Sequence, residues 1–465
     1  MAKKSLKETS PTGKRKGRPS GFLLGALAFF AAISSSGCTF RIGFNPNGGS
    51  SSEASSSSWP SLSDSEESSG SSSASADTTS YEDSSCDKIS FHFIDRQEQY
   101  SGDCVYIKVG DTDILIDAGA KKGSAERIES YLNDSSREEY VSDGKLEYVI
   151  ATHGHQDHIA GMIGNKNSGA YNGIFYSYQI DNLIDFSYYN SSDGKSVINN
   201  ADPSNSKGDS DFVSYAGTYA SGSSEKTHGS DLYADYVTAR EYAVSQGTVW
   251  KTAGELCNSA NLSYTVNLGR NVSMTILYNY FYDHTFAEVK GLESSYTKSG
   301  FSEENDYSVC LLFKQGSRNF LFTGDAEAYA EHSLVKYNDL PKVDLFKAGH
   351  HGSYTASTDE LLDVIDPALC VVTCCAGNKE YSRSNLSHSF PAQEFIDRIA
   401  KHTDRVYVTT LGSWETTGYF APFNGTIVVS YNSLSDEALT CSDNYKKLKE
   451  SDWMKANRTM PSAWS

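Results

Sequence analysis

The sequence predicts an α/β fold, on three observations. From Lys88 onward, short apolar runs with strand alternation are interleaved with stretches of helical spacing. Gly- and Asp-rich turn signals separate neighbouring runs, as in Gly110-Asp111. One run, Leu146-Glu-Tyr-Val-Ile-Ala-Thr152, leads directly into His153-Gly-His-Gln-Asp-His158 and then into the helix-like Ile159-Ala-Gly-Met-Ile163. That strand, loop and helix order holds a dense polar cluster at a strand end.

Before this region stand two segments of different character. Residues 1–38 carry Lys3, Lys4, Lys7, Lys14, Arg15, Lys16 and Arg18, then the apolar run Gly21 to Ile33, then Ser-Ser-Ser-Gly-Cys38. This is the layout of an export signal. The apolar run falls short of the roughly 20 residues that a membrane-spanning helix needs. Gly37-Cys38 resembles a lipobox, with Ser35 where leucine is usual, so lipidation of Cys38 is expected, beside simple secretion or an uncleaved anchor. The chain is therefore expected to work outside the cytoplasm, as a bacterial membrane lipoprotein or a secreted protein. Residues 39–87 are dominated by Ser, Gly and acids with almost nothing to bury, which predicts a disordered linker.

In chain order, Ile89-Ser-Phe-His-Phe-Ile-Asp95 alternates as a strand, and Cys104–Val109 with Asp113–Asp117 read as a hairpin. Ala125–Leu132 has helical spacing. Residues 165–260 are rich in Asn, Ser, Gly and Tyr, and read as an insertion elaborated over the site. Strands resume with Val272–Tyr278, Tyr307–Phe313, Asn319–Asp325, Val343–Ala348, Ala368–Thr373, Arg405–Thr409 and Gly425–Ser430. The folded domain is placed at 88–432, and 433–465 is expected to be a polar, peripheral tail. Of nine cysteines, Cys104, Cys310 and Cys370 sit in apolar runs where a buried thiol is expected, and no disulfide pairing is assigned.

Net charge is −19. The basic N-terminus and the acidic linker nearly cancel, so nearly all of this charge falls on the folded part. Such a surface repels nucleic-acid phosphates, and strong non-specific nucleic-acid binding is not expected.

The histidine cluster points to a metal. In an extended segment, residues two apart share a side, so His153 and His155 can face one cation, and the following turn brings Asp157 and His158 round to a second. Imidazole nitrogen with a few carboxylate oxygens suits zinc, with manganese or iron as alternatives.

His153-Gly-His-Gln-Asp-His158 resembles the HxHxDH signature of the metallo-beta-lactamase-fold hydrolases. Ile114-Leu-Ile-Asp-Ala-Gly119 is similar to that family's strand-end aspartate motif, Phe322-Thr-Gly-Asp325 to its bridging-aspartate segment, and Ala348-Gly-His-His-Gly-Ser353 to its final ligand histidine. Phe93-Ile-Asp95, Asn305-Asp-Tyr-Ser-Val309, Lys347 and His388-Ser-Phe-Pro391 narrow the likeness to ComEC-type hydrolase domains and phosphorylcholine esterases. In two respects the chain departs from them. The compact Asp-x-Gly-Gln-Gly-Asp turn is stretched to Asp95–Asp103, and a third histidine for the first metal is not obvious, leaving His228, His284 or water.

The resemblance implies an αββα sandwich of two mixed sheets flanked by helices, holding two divalent metal ions, zinc first among the candidates. His153 and His155 would hold one ion; Asp157, His158 and one of His350 and His351 the other; Asp325 would bridge them. Asp117 would orient a ligand histidine, or cap the next turn. Asp157, Asp325 and Asp117 are the candidate catalytic residues. His155 stands where flavodiiron proteins have glutamate, which argues against oxygen or nitric oxide reduction.

The implied reaction is hydrolysis by water activated on the metals. A phosphodiester is the first substrate choice, and the acidity favours a cell-wall or headgroup ester over bulk DNA. Tyrosines of the insertion suit sugars or quaternary ammonium groups, or simply pack there. The alternatives are a surface-tethered metal-containing binding module without turnover, a DNA nuclease, and a beta-lactam hydrolase.

Overall fold

The computed structural model describes residues 87–98, 100–167, 170–190, 196–198, 228–292, 304–376, 389–412, 420–432 and 435–465. The expected signal, lipobox-like Cys38, linker and His388 lie outside these residues.

Two eight-stranded sheets stack face to face. The first runs, in spatial order, Val249–Thr252, Gln179–Asp185, Lys145–Ile150, Thr112–Ile116, Val105–Val109, Ile89–Phe93, Ile427–Asn432 and Ser435–Cys441. The second runs Ser263–Gly269, Val272–Leu277, Leu311–Gln315, Arg318–Phe322, Leu345–Lys347, Cys370–Ala376, Val406–Gly412 and Phe420–Pro422. Each sheet mixes an antiparallel part built of hairpins with a parallel part. Parallel neighbours need crossovers, and helices supply them: Ser124–Leu132 and Gln156–Ile163 for the first sheet, Ala328–Tyr337, Asp359–Ile365 and Gln393–Ile399 for the second. The class is mixed α/β, with two mixed sheets and helices outside them.

Alternation along Ile89–Phe93 decides which face points where. Ile89, Phe91 and Phe93 turn inward between the sheets, and Phe91 meets the rings of Phe313, Phe320 and Phe322 across the layer. On the other face, His92 contacts Tyr106 and Tyr131 under the helix Ser124–Leu132. A second buried cluster joins that face (Tyr106, Leu115, Val149, Leu183) to Ile128, Ile159, Ile163 and Phe175.

Two expectations are corrected. The region 165–260 is only partly an insertion, because Gln179–Asp185 and Val249–Thr252 are parallel strands extending the first sheet. The helix His228–Ser245 packs Tyr233 and Tyr236 into the second cluster. Arg240 is buried there, 3.2 Å from Asp185 Oδ2 and stacked on Trp250, so a charge pair and a ring tie this helix to the sheet. The segment 433–465 is likewise no peripheral tail. Ser435–Cys441 is an edge strand of the first sheet, and Trp453, Met454 and Trp464 are buried in the main core. Few apolar residues are needed when each is large, which is why a polar average hid them. Cys104, Cys310 and Cys370 are buried free thiols, as are Cys257, Cys374 and Cys375.

Candidate metal centre

The parallel strands of both sheets end at one place. Asp117 follows Thr112–Ile116, the histidine cluster follows Lys145–Ile150, Asp325 follows Arg318–Phe322, and His350 and His351 follow Leu345–Lys347. A backbone bond from Val309 N to Thr152 O at 2.9 Å joins the two sheets beside this point.

His155, with extended backbone, caps the helix Gln156–Ile163, which has Asp157 in its first turn, where the helix dipole favours a carboxylate. Packing fixes that helix: Ala118 N donates to His158 O at 2.7 Å, and a Cβ built on Gly161 would come 2.0 Å from Ala118 O. Glycine alone permits the helix to approach the strand end so closely.

Asp157, His158, Asp325 and His351 are all buried, and one donor atom from each lies within 4.8 Å of all the others. His158 Nε2 is 3.1 Å and His351 Nε2 3.3 Å from Asp325 Oδ2, and His351 Nε2 is 3.3 Å from Asp157 Oδ2. His153 and His155 stand beside this set as a facing pair, with Nε2 of the first 3.0 Å from Nδ1 of the second. Of the two adjacent histidines, His351 enters the cluster. His350 turns its Nδ1 to Glu327 at 2.9 Å and keeps Nε2 3.8 Å from Asp325. Both hold positive φ, 44° and 53°, a conformation costing about 1–3 kcal/mol for such residues and found at functional sites. His284 is turned to Asp283 at 2.8 Å, and the side chain of His228 lies outside the described residues.

Asp117 Oδ2 accepts from His158 Nδ1, and its carboxylate also accepts from Thr152 N and Thr152 Oγ1, each at 2.8 Å. Sequence reasoning missed Asp103 and Lys347 as parts of this centre. They form a buried ion pair, with Asp103 Oδ1 3.2 Å from His351 Nδ1 and Lys347 Nζ 3.8 Å from Asp325 Oδ1. Lys347 stood inside a quoted motif; Asp103 ended the stretched turn; Glu304 and Glu327 carried no signal of their own.

Burial drives the titration behaviour. It holds the His153 imidazole well below its ordinary pKa and brings His155 down to about 4. For His158 and His351 burial also disfavours the charged form, but Asp325 and further carboxylates outweigh it and hold both above the ordinary value. Burial pushes the Asp325 carboxyl up, and the neighbouring imidazoles, His158 first and then His351, outweigh it, keeping that carboxyl well below the usual range. The centre thus gathers buried carboxylates and imidazoles whose charges depend on one another.

A divalent ion fits it. Ligands bound at about 2.0–2.2 Å lie a few ångströms from one another, which is the spacing of these four donors. His158 Nε2 is buried, with Asp325 Oδ2 3.1 Å away, so the imidazole and the carboxylate bring donor atoms to one place.

Residues 98–197 match the family described as the metallo-beta-lactamase superfamily. Recombination protein 2 of Haemophilus influenzae is 26% identical over 117 residues, which are 25% of this chain and 14% of that protein. ComE operon protein 3 of Bacillus subtilis is 24% identical over 108 residues, 23% of this chain and 13% of that protein. The chain thus covers only a small share of these curated relatives. Among solved structures, the metallo-beta-lactamase fold protein YhfI from Bacillus subtilis aligns with 10% identity and a TM-score of 0.34, covering 72% of this chain and 100% of that one. Human tRNase Z, short form, aligns with 11% identity and a TM-score of 0.31, covering 70% and 93%.

Proposed function

We propose, from the premise that this chain carries a metallo-beta-lactamase domain, that it is a metal-dependent hydrolase acting on phosphodiesters outside the cytoplasm. The observation that carries the reading is the meeting of Asp157, His158, Asp325 and His351, from three segments far apart in sequence, in one buried donor set. Ions bound there would supply Lewis acidity and lower the pKa of water toward about 7.

Within this reading the chain's own groups have separate tasks. His158, His351, Asp157 and Asp325 would hold one divalent ion, and His153 and His155 would contribute to a second. Asp117 and Asp103 fix ring orientations from behind. Burial of His153, Asp157, His158, Asp325 and His351, with His155 part-exposed, limits bulk water there and strengthens the electrostatics.

Preference for a phosphodiester rests on the local similarity to the two competence-type proteins and on the shared motifs. The strongly acidic folded part favours a small cell-wall or headgroup ester over nucleic acid. Action outside the cytoplasm rests on the basic and apolar N-terminus with Cys38, and on the acidic linker that would tether the domain.

The test is metal content and hydrolysis of bis-para-nitrophenyl phosphate, phosphorylcholine esters, single-stranded DNA and a cephalosporin by the full chain, beside Asp325→Asn and His155→Ala. Turnover of a phosphodiester that disappears in both variants and on chelation is the expected result. Metal uptake with no turnover on any ester would make the chain a binding module instead.

A further inference from the structure

Each histidine facing the centre is held at the ring nitrogen that points away from it. Thr152 Oγ1 and Ser308 Oγ lie 3.2 and 3.4 Å from His153 Nδ1. Asp117 Oδ2 is 2.7 Å from His158 Nδ1, and Thr373 O is 2.9 Å from His351 Nδ1. For His155 the group behind the ring is a carboxylate that no motif announced: Glu304 Oε2 lies 3.5 Å from Nε2, while Nδ1 faces His153.

We propose that Glu304 is the positioning residue of the first metal position, holding His155 with its Nδ1 lone pair directed inward beside His153 Nε2. The inference rests on the two-ion hydrolase reading above. A carboxylate behind an imidazole accepts its N–H, which fixes the tautomer, orients the ring and makes the inward nitrogen a better donor. Glu304 is itself almost fully buried, at 3% exposure, so its carboxylate is shielded from bulk water where it faces the ring.

Two features hold Glu304 in place. It leads into the 3-10 turn Asn305–Tyr307, in which Asp306 Oδ1 accepts from Glu327 N and Ala330 N at 3.0 and 3.2 Å, anchoring the turn on the helix Ala328–Tyr337. Second, the carboxylate lies over Gly154, between the two histidines: a Cβ there would come 2.6 Å from Glu304 Oε1. The glycine at the centre of His153-Gly-His155 thus makes room for this contact. The first position depends on Glu304 more than the second, because His153 and His155 bring it fewer donors than the four that close the other position.

The experiment is calorimetric titration of the metal-free full chain with zinc, with cobalt(II) absorption as a spectroscopic readout, for the wild type, Glu304→Ala, Glu304→Gln and Gly154→Ala. The wild type is expected to take two equivalents. In Glu304→Ala and Gly154→Ala one equivalent should keep its affinity and cobalt spectrum while the other weakens about 10- to 100-fold. Glu304→Gln, whose amide oxygen still accepts from Nε2–H, should recover part of the loss. If Glu304→Ala does not fold, Gly154→Ala carries the test, since it displaces the carboxylate without removing a ligand. Two equivalents at wild-type affinity in both variants overturn the inference alone, as does loss of both equivalents together. A wild type that takes a single equivalent also overturns it and leaves hydrolysis on one ion standing. A wild type that takes none overturns the hydrolase reading and this inference with it.

Discussion

Asp117 Oδ2 stands 2.7 Å from His158 Nδ1, and both side chains are fully buried. The carboxylate is locked by Thr152 N and Thr152 Oγ1 as well, so the imidazole it holds has one orientation, with Nε2 toward Asp325. Burial pushes the Asp117 carboxyl up against the opposing pull of His158, which makes the contact sensitive to the loss of either charge. Asp117 also holds φ 57°, a conformation that asparagine adopts readily. Asp117→Asn is therefore expected to fold but to bind metal, and hydrolyse the phosphodiester probe, about 10- to 100-fold less well. Wild-type affinity and turnover in this variant would show that Asp117 merely ends a strand.

The paired histidines should separate cleanly. His351 Nε2 lies 3.3 Å from both Asp157 Oδ2 and Asp325 Oδ2, whereas His350 is drawn aside by Glu327 and packs against Phe390. His351→Ala is expected to lose one equivalent of metal and all turnover. His350→Ala should retain both equivalents, measured by elemental analysis after dialysis. The opposite pattern would reverse the assignment.

The strands of the core were legible because their apolar alternation is strong and turn residues bracket them, and the cluster 153–158 was legible because its residue types have little other use together. Gln179–Asp185 and Val249–Thr252 were not: they lie toward one margin of the first sheet and carry Gln179, Asp181, Asn182 and Lys251 among their apolar residues. Their strand identity comes from pairing in parallel beside Lys145–Ile150. Asp103, Glu304 and Lys347 reach the centre only through long-range folding, and neither spacing nor composition encodes such meetings.

A second network, buried at Ser90 and His92 and half-buried at Glu139 and Lys88, makes a prediction about acid. Glu139 accepts from His92 Nε2 at 2.8 Å and from Ser90 Oγ at 2.8 Å, and pairs with Lys88 Nζ at 2.9 Å. Burial alone would raise its carboxyl, but the bonds from His92 and Lys88 outweigh this and hold it at about 2. Because the folded pKa lies below the unfolded one, the stabilisation is complete above about pH 4.5 and is lost as pH falls toward 2. Glu139→Gln is expected to cost about 1–3 kcal/mol at pH 7 and progressively less below pH 4. Urea unfolding at the two pH values reads this directly; an equal cost at both would exclude a charge effect.

The C-terminal segment makes the most decisive stability prediction. Ser435–Cys441 pairs with Ile427–Asn432 through Val428↔Thr440 and Val429↔Leu439, so its removal uncovers an inner strand of the first sheet. Trp464 Nε1 donates to Thr403 O at 2.9 Å, and Arg458 reaches Ser389 O at 2.7 Å and Pro391 O at 3.0 Å, tying the segment to the second sheet's helices and loops. Trp453, Met454 and Trp464 are buried in the same core as Phe395 and Val408. Loss of a single large core side chain costs about 2–5 kcal/mol, and three such losses approach or exceed the roughly 5–15 kcal/mol that holds a domain folded. A chain ending at Asn432 is therefore expected to lose its cooperative thermal transition in circular dichroism and its metal uptake together. A truncated protein that keeps both would mean that the strand and the two tryptophans cover the domain without holding it.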